Sequence, residues 1–172
     1  RRVLEDPPYN FMLHSAPLRG EALDLYHWHL EIIPKMVQEE LDGARRYFEL
    51  KERAVFSDII DQETSEGQGR RVIMRTGRYI VMAPFAPRFP FETWILPAEH
   101  RSSYEEIEGP DLVALAQLLR EVLGRMRRVL EDPPYNFMLH SAPLRGEALD
   151  LYHWHLEIIP KMVQEELDGA RR

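Results

Sequence analysis

The chain has 172 residues, 44% hydrophobic and 30% charged, which is ordinary for a soluble globular protein and enough for one good core or a domain and a half. Its net charge of −7 argues against a nucleic-acid-binding surface, which needs a basic excess, but leaves room for a small phosphorylated ligand held by a few arginines. No apolar run approaches the ~20 residues that span a bilayer, no signal peptide opens the chain, and the absence of cysteine excludes disulfides and thiolate metal ligands, so the expectation is a cytoplasmic protein with no membrane partner.

Residues 1–46 are identical at every position to residues 127–172. Natural duplications drift, so the sources open are a very recent duplication and an engineered tandem or permuted chain. The ends favour the second. Apolar residues at 112, 115, 119, 122, 126 and 130 have the spacing of an amphipathic helix, and Arg1 corresponds to Arg127 inside it. The chain therefore begins within a truncated helix.

Pro7 and Pro8 end that stub, and residues 9–14 alternate as a strand. A loop over 15–21 leads to a second strand, closed by Pro34, and a helix follows from Met36 to about Val55 with Val37, Leu41, Ala44 and Phe48 on one face. Residues 61–70 are polar and glycine-containing, which predicts a mobile loop. Residues 71–82 read as a hairpin turning at Thr76 and Gly77, and residues 91–96 as a further strand after a proline-rich connector. Ser103 to Glu106 fits a capping box, and Gly109 and Pro110 open the long helix. Strands at 135–140 and 151–160 complete an α+β unit: an antiparallel sheet with helices packed on one face.

The chemistry concentrates in residues 151–160 (LYHWHLEIIP), repeated at 25–34. Strand alternation sends His153, His155 and Glu157 to one face and Tyr152, Trp154, Leu156 and Ile158 to the other. Imidazoles spaced i, i+2 lie roughly 6–7 Å apart at their Cα atoms, close enough to share one metal ion or phosphoryl group. Six of the seven histidines fall in the two copies (His14, His27, His29, His140, His153, His155), a clustering that buried structural histidines do not explain. His100, the seventh, ends another apolar run.

Three ordered motifs, residues 89–100 (FPFETWILPAEH), 134–143 (PYNFMLHSAP) and 153–155 (HWH), resemble the C-terminal half of galactose-1-phosphate uridylyltransferases, members of the histidine-triad superfamily. The resemblance covers nearly all of residues 47–172. It implies a histidine-triad-like α+β domain over 47–172, with 1–46 as a partial second copy. It further implies exchange between a nucleotide sugar and a sugar 1-phosphate through a histidine intermediate, in which the middle histidine of a His-Pro-His-x-Gln motif attacks the α-phosphorus. His155 occupies that position, and His29 does in the duplicate. Trp154 replaces the proline and Glu157 the glutamine, and a carboxylate there accepts hydrogen bonds only and repels phosphate.

The resemblance also implies one zinc or ferrous ion per complete unit, bound by His140, His153, His155 and Glu40, with His14, His27, His29 and Glu166 as the duplicate set. A second zinc, which many members hold through Cys-x-x-Cys and two histidines, is not expected, because Ala54 and Ser57 stand at the cysteine positions. Arg145 is expected near the phosphate. The alternative is a non-catalytic metal-binding half-domain or an engineered tandem. Because two identical segments compete to complete residues 47–126, the leftover copy exposes an apolar strand face. That predicts a homodimer or a strand-exchanged oligomer.

Overall fold

The computed structural model describes residues 10–15, 29–33, 36–65, 69–143 and 149–161. Seven strands form one antiparallel sheet: β1 (Asn10–Ser15), β2 (His29–Ile33), β3 (Val72–Arg75), β4 (Tyr79–Met82), β5 (Thr93–Pro97), β6 (Tyr135–His140) and β7 (His155–Pro160), in the order β2-β1-β6-β7-β5-β4-β3. Among the described residues three α-helices accompany it: α1 (Met36–Lys51), α2 (Val55–Thr64) and α3 (Gly109–Val129).

Alternation along β4 sorts the core into two layers. Tyr79 and Val81 join Ile95, Trp154, Leu156 and Ile158 beneath Leu115, Leu118 and Val122 of α3. Ile80 and Met82 join Leu96 beneath Ile60 of α2 on the opposite face. The α+β class and antiparallel sheet are as the sequence implied. Helix placement corrects that reading, which put the helices on one face: among the described residues α3 covers one face while α2 packs on the other. This double cover is why all four residues of β4 are buried, whereas β3, at the sheet edge, alternates.

Pro110 lies in the first turn of α3, where its missing N–H costs nothing, and Leu115, Leu118 and Val122 recur along its buried face. The β3–β4 turn is locked by Thr76, whose hydroxyl oxygen accepts the amides of Arg78 at 3.2 Å and Tyr79 at 2.9 Å.

Three local expectations change. The helix expected over 36–55 is two helices, because Glu52 takes a left-handed backbone (φ 55°) and breaks the run. The bend lets α1 bury Leu41 against Ala142 and Tyr152 while α2 buries Ile60 elsewhere. Phe48 stays exposed. The polar loop expected from residue 61 begins later, since α2 runs to Thr64 and its buried Glu63 pairs with Arg71. The capping box at Ser103 is not formed. Ser141 serves that turn instead: its Oγ accepts the Tyr104 amide at 2.9 Å and donates to Glu105 at 2.7 Å.

β7, from the second copy of the repeat, pairs with β5 and so completes the sheet begun by residues 72–97. β1, from the first copy, continues the sheet beyond β6.

Candidate metal centre

β6 ends on His140 and β7 begins on His155, and the register sets them directly opposite. On one sheet face at adjacent positions, the two imidazoles stack with centroids 4.3 Å apart and planes 7° from parallel. Glu40 comes from α1, the residue before buried Leu41, and its Oε1 lies 2.8 Å from His140 Nδ1. The Tyr152 hydroxyl donates to the other oxygen of Glu40, fixing the carboxylate from its far side. Glu40, His140 and His155 each offer one ligand atom, all within 4.8 Å of one another. Phe56 of α2 (4.9 Å between ring centroids) and Trp94 of β5 (5.4 Å) wall His155 with aromatic surface.

Glu157 projects from the same face two residues on. One of its oxygens is 3.4 Å from His140 Nε2 and the other 3.9 Å from His155 Nε2. Arg88, from the proline-rich connector, donates to Glu157. Buried Glu92 holds that connector in place by accepting the amides of Arg88 at 2.7 Å and Phe89 at 3.3 Å and the Trp94 indole N–H at 2.9 Å.

His153 does not join this group. β7 starts at His155, and the preceding backbone is tied down by the Trp154 amide, which donates to Arg101 O at 2.9 Å. His153 instead has Nε2 at 3.1 Å from Pro97 O and Nδ1 at 3.3 Å from Nδ1 of His100. Ala54 and Ser57 bracket Val55 and Phe56, of which Phe56 stacks on His153 with centroids 5.7 Å apart, and among the described residues His100 belongs to no candidate metal group. His27, Arg145 and Glu166 lie outside the described residues. The backbones of His14 and His29 pair in register across β1 and β2, as those of His140 and His155 do across β6 and β7.

Arg88, Tyr152 as a hydrogen-bond donor, and Phe56 were not singled out as site residues from sequence. Each reaches the site from a distant segment, and the only local hint is an arginine between prolines.

Electrostatically, a proton on His140 balances the carboxylates. Burial opposes its charge, but hydrogen bonds and attraction from Glu157 and Glu40 prevail and raise its pKa to about 9. His155 is pushed down to about 4 by burial and then by the charge on His140. His153 falls to about 3 through burial and then His100. For Glu40 and Glu157, burial pushes upward, yet His140 outweighs it and both stay below the usual carboxylate range.

These shifts set the pH dependence of the metal-free chain. His140 is raised above its unfolded value of 6.5, so its contribution is full below pH 6.5 and lost as pH rises toward 9. His153 and His155 are depressed, so theirs is full above pH 6.5 and lost as pH falls. Thermal stability in chelator should therefore peak near pH 6.5, falling by about 1 kcal/mol per pH unit on the alkaline side and up to about 3 on the acid side. Melting curves across pH, with and without saturating zinc, check this. Zinc should abolish the alkaline decline, because a metal-bound imidazole carries no proton to lose.

Two neutral imidazoles and a carboxylate form the donor set that zinc or ferrous iron takes, so the residues fit a divalent ion. Glu40, His140 and His155 would hold it. Bound there, the ion would supply a fixed positive charge.

The family described as galactose-1-phosphate uridyl transferase, C-terminal domain, matches residues 40–167. The chain is 33% identical over 135 residues to an ADP-glucose phosphorylase of Arabidopsis thaliana, covering 77% of this chain and 36% of that protein. It is 30% identical over 140 residues to a galactose-1-phosphate uridylyltransferase of Schizosaccharomyces pombe, covering 80% of this chain and 37% of that protein. The solved structure of an Arabidopsis thaliana ADP-glucose phosphorylase with bound ADP-glucose superposes with a TM-score of 0.75 at 27% identity, over 96% of this chain and 53% of that one. The chain thus spans little more than a third of the length of these curated relatives.

Proposed function

Because the chain belongs to the galactose-1-phosphate uridyl transferase family through its C-terminal domain, we propose that it serves nucleotidyl exchange between a nucleotide sugar and a sugar 1-phosphate. Its own contribution in this reading is to hold one zinc or ferrous ion. The observation that carries it is the convergence of Glu40, His140 and His155 from three separate elements onto one buried point. Support for the substrate class comes from the relatives, whose names specify galactose 1-phosphate and ADP-glucose. The reading takes residues 47–172 as the complete unit apart from Glu40, which the otherwise partial copy 1–46 lends to it, in keeping with the β5–β7 pairing, and places the protein in the cytoplasm. His153 belongs to the ligand set only if its ring leaves Pro97 and His100. The duplicate set (His14, His27, His29, Glu166) would hold a second ion, and Arg145 would meet phosphate.

As a nucleophile, a role that excludes simultaneous metal ligation by the attacking nitrogen, His155 would attack the α-phosphorus through an imidazole nitrogen, with the bond to the β-phosphate oxygen breaking to release sugar 1-phosphate. An acceptor sugar phosphate then displaces the histidine. Glu157 beside His155 favours a second reading, in which this unit binds metal without itself forming the covalent intermediate. Incubation with UDP-glucose or ADP-glucose followed by intact-mass measurement separates the two. A single nucleotidyl adduct that disappears in His155→Ala supports transfer through this histidine, and an unmodified mass supports the second reading.

A further inference from the structure

The two histidines of the centre meet acceptors through different ring nitrogens. His155 Nδ1 lies 3.1 Å from the backbone carbonyl oxygen of His153, which can only accept, so Nδ1 carries the proton and the Nε2 lone pair is left for an ion. His140 stands between two carboxylates: Glu40 Oε1 is 2.8 Å from its Nδ1, and Glu157 Oε2 is 3.4 Å from its Nε2. A neutral imidazole offers one lone pair. An ion can therefore take only one of these nitrogens, and the other keeps its proton for the carboxylate that it faces.

The two carboxylates are not equivalent. Glu40 belongs, with His140 and His155, to the group whose ligand atoms lie within 4.8 Å of one another. Its far oxygen takes the neutral Tyr152 hydroxyl, which leaves its charge for a cation. Glu157, with its side chain 4% exposed, is already ion-paired, because Arg88 donates to the same oxygen that faces His140 Nε2. A carboxylate whose charge is met by a guanidinium competes weakly for a divalent ion, yet it has lone pairs to spare for an N–H.

On the basis of the metal-binding reading above, we infer that Glu157 is a positioning residue: it accepts the Nε2–H of His140 and so turns Nδ1 toward the ion beside Glu40, while His155 presents Nε2. The centre then uses unlike nitrogens of its two histidines. Each ring is fixed by an acceptor on its far side, the His153 carbonyl for His155 and Glu157, steadied by Arg88, for His140. The buried acid of β7 serves the ion without touching it.

Nuclear magnetic resonance of zinc-loaded protein with 15N-labelled histidine reads this arrangement, because metal-bound and protonated ring nitrogens resonate apart and each ring is assigned through its contacts with neighbouring protons. The parent chain should show His140 with Nδ1 on zinc and Nε2 protonated, and His155 with the reverse. Zinc on Nε2 of His140 would overturn the proposal, since Glu157 would then be the ligand and Glu40 the outer acceptor. Competition against a chromophoric chelator gives a second readout. Glu157→Gln should bind zinc roughly 10- to 100-fold more weakly, the cost of losing an outer partner, and its His140 Nε2 proton should exchange faster with solvent. A Glu157→Gln protein with the parent's affinity would take Glu157 out of the centre and leave the metal-binding reading standing, whereas a parent chain that takes up no zinc would remove both. If Glu157→Gln does not fold, the ring pattern of the parent chain decides alone.

Discussion

Glu40→Gln is expected to lower zinc affinity roughly a hundredfold or more, while Glu39→Gln changes it little; loss of an outer partner of a ligand alone costs 10- to 100-fold, and Glu40 is placed to be a ligand. Glu40 lies 2.8 Å from His140, and Tyr152 braces it from the far side. Glu39 sits one residue earlier on the exposed surface of α1, rotated about 100° around the helix by the 3.6-residue turn. Glutamine preserves the shape and the hydrogen bond from Tyr152 but removes the charge that a divalent ion requires. Competition for zinc against a chromophoric chelator reads the affinity, and the metal-free melting temperature controls for folding. Equal affinities for the two variants would remove Glu40 from the site.

The contrast between Glu40 and His153 shows what could be read from sequence. Strand alternation placed His155 and Glu157 on one face because β7 is a regular strand there, and it failed at His153 because the strand has not yet begun. What diverts His153 is a backbone bond from Trp154 to Arg101, in a segment some fifty residues earlier that no local pattern connects to it. Glu40 came from family resemblance alone, since nothing in an exposed-looking Glu39–Glu40 pair distinguishes the one that turns inward. The helix ends were legible where proline or an apolar period marked them, as at Pro110. They were not where a single left-handed residue, Glu52, broke an otherwise continuous pattern. Polar residues 61–64 read as loop because the partner that lets Glu63 be buried, Arg71, lies beyond the window of any periodicity.

Arg88→Met is expected to destabilise the metal-free chain by about 2 kcal/mol at neutral pH. The figure lies between the ~0–1 kcal/mol of an exposed ion pair and the 3–5 kcal/mol lost when a buried pair is broken. It falls between because the Glu157 side chain is 4% exposed and that of Arg88 45%. His140 also does more than Arg88 to keep Glu157 ionised, so the carboxylate is not abandoned when the guanidinium goes. The loss should shrink as pH falls and Glu157 takes up a proton, since a neutral carboxyl no longer needs the cation. A double-mutant cycle with Glu157→Gln isolates the interaction. If Arg88 stabilises the site through this carboxylate, the pair Arg88→Met and Glu157→Gln should be less destabilised than the sum of the single variants, by roughly 1–2 kcal/mol in urea titrations. Strict additivity would mean that the Arg88 side chain stabilises the chain independently of Glu157, through its 4.0 Å approach to Glu92, and that Glu157 is held in the site by His140 alone.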